Sequence, residues 1–144
     1  MTSKQKKDFL RGYKSLRKEE KTIREEIAAL EVATMSASVG MGDGMPHAHD
    51  PKGLEEYAAR KDQLERKLQG VLWECINEQI RVEISINSLE NSTERIIMRQ
   101  RYILFKGWDE ISEFVGYSRR QTLYLHGAAL GHLEIPERSL DENH

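Results

Sequence analysis

The feature that most constrains the fold of this 144-residue chain is the spacing of apolar residues in two long, highly charged segments. The first runs from Lys4 to about Ala33 and the second from Gly53 to Glu90. In both, apolar residues recur three or four positions apart, which places them on one face of a helix and is typical of a coiled-coil seam. In the first segment they are Phe9, Tyr13, Leu16, Ile23, Ile27 and Leu30, with Glu20 in the one polar position. We predict two long helices in an all-α fold, packed as an antiparallel, coiled-coil-like hairpin.

Two segments break this pattern. Residues 34–52, TMSASVGMGDGMPHAHDPK, contain three Gly and two Pro, and a connection of this length far exceeds the usual ~2–8 residues between paired helices. We expect a flexible loop there, which is either disordered or functional, followed by a helix that Asp50 and Pro51 begin. Residues 134–144 are acidic and poor in apolar residues, and we expect a disordered tail.

The last third of the chain predicts three shorter helices. Asn91 and Glu94 have the spacing of a capping box, which starts a helix that ends near Gly107. A short helix follows from Trp108 to Val115, and the turn 116–118 leads to a third helix from Arg119 to Leu133, capped by Ser118. Such a layout is typical of a helix-turn-helix. The predicted domains are therefore a hairpin at 1–90, a helix-turn-helix at 91–133 and the tail at 134–144.

The residues at the start of the third helix favour contact with double-stranded DNA. Arg119 and Arg120 can each donate two hydrogen bonds to guanine, and Gln121 can pair with adenine. Ser118 and the free amides of the first turn suit a phosphate, and Tyr124 lies one turn further on. A pair of Arg residues alone usually belongs to a solvated helix surface, but the position just after a Gly-x-Ser turn favours DNA binding.

The run WDEISEFVGYSRRQTLYLHGAAL resembles region 4 of bacterial sigma factors, which binds the promoter −35 element. The longer run from Glu94 to Leu133 is similar to late-gene transcription regulators of phages and prophages, of the RinA and ArpU type. The resemblance implies a sigma-region-4-like helix-turn-helix in which Ser118, Arg119, Arg120, Leu123 and Tyr124 face DNA. Leu123 differs from the basic residue that sigma factors often carry there. Regions that bind the −10 element have no counterpart in the chain.

Charge is distributed unevenly along the chain. The net charge is −2 and the pI about 6.2, whereas residues 1–24 carry nine Lys and Arg against three acids. A DNA-binding surface must therefore be local, and one recognition helix on such a scaffold would bind weakly. We expect a homodimer or a contact with host RNA polymerase to add affinity. The basic residues of the first helix either touch phosphates or form a solvated face, and the sequence leaves both open.

Other functions find little support in the sequence. No nucleophile accompanies His126, no phosphate-binding glycine loop is present, and His47, His49 and Asp50 supply too few ligands for zinc. Cys75 has no partner at ligand spacing. We therefore expect no enzyme activity, catalytic residue, cofactor or metal. With no run of about 18 apolar residues for a membrane span, we expect the cytoplasm of a bacterial host cell. Two alternatives are a small terminase-like DNA-packaging protein and a protein-interaction module without DNA binding.

Overall fold

The computed structural model of the protein describes residues 1–39 and 51–136. Within these ranges all regular secondary structure is helical and no strand occurs, which confirms the predicted all-α class. The helices are α1 (Ser3–Val39), α2 (Pro51–Asn87), α3 (Ser92–Tyr102), α4 (Trp108–Val115) and α5 (Arg119–His132).

Helix α1 extends further than the sequence pattern predicts. It continues through residues 34–39, the first part of the predicted loop, and ends at Val39. This stretch contains Ala, Met and Ser but no Gly or Pro before Gly40, so nothing in it stops a helix. Residues 51 and 52, the last two of the predicted loop, already belong to α2. Residues 40–50, with Asp50, His47 and His49, lie outside the described residues, as do residues 137–144 of the predicted tail.

The end of α3 also differs from the prediction. The helix ends at Tyr102 instead of near Gly107, and the chain then turns through Phe105, which has a positive φ of 59°. Two backbone bonds close this turn, from the Leu104 amide to the Arg99 carbonyl and from the Lys106 amide to the Gln100 carbonyl. The left-handed conformation of Phe105 turns the chain before it reaches Gly107, so the helix ends earlier than predicted.

The described chain divides into two compact units whose borders fall inside α1 and α2. Unit 1 consists of residues 1–16 and the chain from residue 75 onward, and unit 2 of residues 17–74. The predicted domain border at residues 90 and 91 stays a prediction.

Unit 2 contains parts of the two long helices. Its buried apolar residues are Ile23, Leu64 and Val71. The polar position in the α1 seam, Glu20, is only 7% exposed, and its carboxylate lies between Arg17 at 2.6 Å and Arg24 at 3.2 Å. Because both guanidinium groups neutralise this carboxylate from positions i−3 and i+4, α1 tolerates it within an otherwise apolar face.

Unit 1 has the larger core, and α3, α4 and α5 pack against one another in it. We call these three helices the carboxy-terminal cluster. An eight-residue helix such as α4 has too few hydrogen bonds to be stable alone, so it depends on burial of its apolar face. Ile111 of α4 is fully buried, as are Ile97 and Met98 of α3. The other buried apolar residues of this unit are Leu10, Tyr13, Cys75, Val82, Ile86, Leu89, Tyr102, Ala129, Leu130 and Leu133.

Candidate nucleic-acid interface

Gly116 and Ser118 form the turn between α4 and α5, as the sequence predicts. Gly116 ends α4 with a φ of 78°, a left-handed conformation that costs glycine little, and its amide bonds to the Ser112 carbonyl. Ser118 then caps α5, because its Oγ accepts a hydrogen bond from the Gln121 amide at 3.1 Å. Its carbonyl also accepts from the Thr122 hydroxyl at 2.9 Å. Helix α5 therefore begins at Arg119 with a fixed first turn.

The exposed face of α5 contains the predicted site residues. Thr122 and Ala129 are fully buried, whereas Tyr124 is 71% exposed and Leu123 39% exposed. The structure brings all six predicted residues to the surface at the amino-terminal end of this helix: Ser118, Arg119, Arg120, Gln121, Leu123 and Tyr124. Their side chains are open to solvent, and the amides of the first turn form the positive end of the helix dipole.

Arg119 forms an ion pair with Asp109 that was not among the sequence predictions. The Arg119 Nη1 lies 3.1 Å from Asp109 Oδ1, and both side chains are largely exposed. A pair this open to water contributes at most about 1 kcal/mol, so a DNA base or phosphate can compete for the guanidinium. Asp109 lies ten residues before Arg119 on another helix, and no local sequence signal marks the contact.

The opposite face of α5 contains a buried histidine, His126, which contacts α3 and α4. His126 Nε2 lies 2.7 Å from the Tyr102 hydroxyl, and its imidazole and the Trp108 ring pack in a T-shaped arrangement with 4.7 Å between centroids. Burial, with smaller contributions from Lys7, Arg101 and Arg11, lowers the pKa of His126 from 6.5 to about 4. Burial also raises the pKa of the Tyr102 hydroxyl. His126 is therefore a neutral packing group at pH 7 that links α5 to α3 and α4.

A lysine from α1, Lys6, caps the carboxy-terminal end of α5. The Lys6 Nζ donates to the Leu130 carbonyl at 2.8 Å and lies 3.5 Å from the Gly131 carbonyl. These carbonyls have no partner inside the helix, and a cation at this end favours the helix dipole. The first part of α1 therefore helps to stabilise the carboxy-terminal cluster.

The predicted capping box at the start of α3 is only half right. The Asn91 side chain accepts from the Glu94 amide at 3.1 Å as predicted. The Glu94 carboxylate, however, is buried and directed at His132 of α5, with both oxygens 3.1 Å from Nδ1. A cleft of about 390 Å³ adjoins this pair. Its lining includes three glutamates, Glu90, Glu94 and Glu134, which disfavours phosphate there.

Comparisons with known proteins give no independent identification, since no protein-family model, curated protein or solved structure matches the chain. In the described part of the chain, no group of three or more His, Cys, Asp or Glu side chains is arranged to hold a metal ion. No helix among residues 1–39 and 51–136 combines the length and the hydropathy needed to cross a membrane.

Proposed function

We propose that this protein is a DNA-binding transcription regulator of the phage type, with α4 and α5 as a sigma-region-4-like helix-turn-helix. One observation carries the proposal. A left-handed glycine turn and a serine cap present Arg119, Arg120 and Gln121 on the exposed first turn of α5. This is the part of a recognition helix that reaches base edges in the major groove.

Each exposed residue has a role that suits its chemistry. Arg119 and Arg120 donate to guanine, Gln121 pairs with adenine, and Tyr124 reaches a base or the backbone. Leu123 offers an apolar contact to a thymine methyl group. Ser118 and the first-turn amides bind a phosphate that sets the register. His126 takes no part in reading because it is buried behind the helix.

The long helices α1 and α2 form the antiparallel hairpin in this proposal and provide partner contacts. On α2, Ile76, Ile80 and Ile84 lie one turn apart, and each is about half exposed. This apolar stripe suits a second copy of the chain, since the same stripe on two copies can pair across a twofold axis. A homodimer would double the DNA contacts, and host RNA polymerase is the other candidate partner. The molar mass in solution tests this arrangement, because a closed ring of eight or more subunits would favour a terminase-like packaging role.

The DNA-binding proposal is tested by selecting bound fragments from a library of phage and bacterial genomic DNA and measuring the affinity of the selected duplex. We expect Arg119→Ala with Arg120→Ala to weaken binding by about tenfold to a hundredfold, since one bidentate contact contributes about 1–3 kcal/mol of discrimination. The matched control is Arg60→Ala with Arg66→Ala in unit 2, which removes the same charge from exposed positions. Absence of binding by the unaltered protein at low salt would overturn the proposal.

A further inference from the structure

The cations of the first part of α1 fall into two groups. Lys6 is engaged by the carbonyls at the end of α5. Lys7, Arg11 and Lys14 follow one another at positions i, i+4 and i+7, which places them along one face of the helix over about 10 Å. Lys7 is half-buried and the other two are exposed. Within the described residues none of these three pairs with a carboxylate.

Two further cations lie at the end of α3 and in the turn that follows it, Arg101 and Lys106. The Arg101 guanidinium stacks over Trp108 at 4.6 Å from the ring centroid, and Lys106 Nζ lies 5.4 Å from the Phe114 centroid. Arg101 also donates to the Lys106 carbonyl at 3.0 Å. Aromatic rings hold these cations in position without neutralising them, so their positive charge remains available to an anion.

One of the α1 cations, Lys14, contacts this turn directly. The Lys14 Nζ lies 5.8 Å from the ring centroid of Phe105, the residue before Lys106. Burial is the main cause of the lowered pKa of His126, and the positive charges of Lys7, Arg101 and Arg11 lower it further, so all three lie near its imidazole. We call Lys7, Arg11, Lys14, Arg101 and Lys106 the basic surface.

The basic surface adjoins the start of α4 and, through it, Arg119. Arg101 stacks on Trp108, the first residue of α4, and the next residue, Asp109, pairs with Arg119. The start of α4 therefore contacts both Arg101 of the basic surface and Arg119 at the end of α5 that is proposed to read bases.

The charge balance shows why such a surface matters for binding. Residues 91–136 carry six Lys and Arg against five acids, so the carboxy-terminal cluster is nearly neutral. Residues 1–16 carry five Lys and Arg against one acid. Sequence-independent affinity for DNA comes from cations that displace counterions from phosphates. Residues 75–90, the rest of the described part of unit 1, carry one Arg against three acids, so the first part of α1 has the largest positive charge of this unit.

We propose that Lys7, Arg11 and Lys14 bind backbone phosphates of the duplex whose bases α5 reads. This inference rests on the proposed function. It makes the first part of α1 a clamp on the DNA backbone beside the recognition helix, with Arg101 and Lys106 completing the surface. The contacts are independent of sequence and set affinity, whereas Arg119, Arg120 and Gln121 set specificity.

The test compares salt dependence in two variants, using fluorescence anisotropy with a labelled mixed-sequence duplex of about 25 base pairs and salt from about 50 to 200 mM. For Lys7→Ala with Arg11→Ala and Lys14→Ala, we expect Kd to rise by roughly tenfold or more at low salt. The plot of log affinity against log salt should become shallower by about 2–3, close to one per lost phosphate contact. The control Arg60→Ala with Arg66→Ala and Lys67→Ala removes the same charge from unit 2. Its changes in Kd and in the salt slope should each be less than half of those in the α1 variant.

A second variant separates charge from folding. Lys7→Arg with Arg11→Lys and Lys14→Arg keeps all three charges and should keep the affinity and the salt slope. The inference is overturned if the alanine variant matches the unit 2 control, or if affinity falls with no change in slope. In another outcome, the alanine variant of α1 matches the unit 2 control in affinity and salt slope while Arg119→Ala with Arg120→Ala still loses binding. In that case the proposed function stands and only the phosphate contacts of α1 are disproved. If the unaltered protein binds no duplex at low salt, both proposals fail.

Discussion

Unit 2 is held by apolar residues that repeat along two long helices, whereas the carboxy-terminal cluster is held by individual contacts between residues far apart in the sequence. In unit 2 the buried polar group, Glu20, finds both of its partners within one turn of its own helix. In the cluster, Glu94 and His126 find theirs on other helices. A repeating seam can lose one contact and keep its neighbours, but short helices depend on each contact. The cluster should therefore respond more sharply to single substitutions.

The largest effect is expected from Ile111→Ala in the eight-residue α4. Ile111 is fully buried, and truncation of such a side chain usually costs about 2–5 kcal/mol. Ile23 of unit 2 is equally buried, at 1% exposed, and its replacement by Ala should cost about 2 kcal/mol, at the lower end of this range, because its neighbours in the seam stay packed. The two Trp residues report on different units, Trp73 on unit 2 and Trp108 on unit 1. Denaturant unfolding in Trp73→Phe and Trp108→Phe backgrounds measures each effect, and equal losses for the two substitutions would remove the contrast.

Acid should lower the stability of the fold through protonation of His126. Its pKa is about 4 in the folded protein against 6.5 ordinarily, so between these values the unfolded chain binds the additional proton. The stability from neutral His126 is therefore complete above about pH 6.5 and decreases as pH falls towards 4, by about 3 kcal/mol.

Denaturant unfolding followed by Trp108 fluorescence over this pH range measures the loss. His126→Gln should flatten the dependence, because it removes the group whose pKa differs between the folded and the unfolded chain. An unchanged pH dependence in His126→Gln would contradict the assignment.

Replacement of two glycines of the cluster by alanine should change the free energy of unfolding in opposite directions. Gly116 has a φ of +78° and nothing within 4 Å of an added Cβ, so Gly116→Ala should cost about 1–2 kcal/mol through backbone strain alone. Gly127 lies inside α5 and also has open space around it. Gly127→Ala should raise the free energy of unfolding by up to about 1 kcal/mol. Thermal denaturation of both variants tests the difference, and a stabilised Gly116→Ala would show that the turn is not fixed.

The smallest change in stability is expected from Asp109→Asn. Loss of an exposed ion pair should change the free energy of unfolding by about 0.5 kcal/mol or less. Under the proposed function, DNA affinity should rise a few-fold, because Arg119 is released and a negative charge near the phosphates is removed. Glu110→Gln, another exposed position of α4, gives the control for charge alone. Weaker binding by Asp109→Asn would instead mean that the pair orients Arg119 for reading.

Local features of the cluster were predictable from the sequence to the residue. The structure has α4 at Trp108–Val115, a left-handed Gly116, and Ser118 and Asn91 as caps. Each depends on residues within four positions, and the chemistry of a cap or a glycine turn is the same in any protein. The ends of α1 and α3 were less predictable, because Thr34 to Val39 carries no stop signal and Phe105 takes a conformation that is rare for its type.

Periodicity and turn chemistry determined by themselves that the chain is all helical, where its short helices begin, and which residues of α5 face solvent. The tertiary structure decided which distant groups meet: Lys6 with Leu130, Tyr102 with His126, Glu94 with His132, and Asp109 with Arg119. Helical spacing acts over three or four residues, whereas these pairs are ten to 124 residues apart. Only packing of the helices determines which of their faces meet. For the same reason, the sequence did not show which residues lie beside the basic face of α1, whereas the structure places Lys14 next to Phe105.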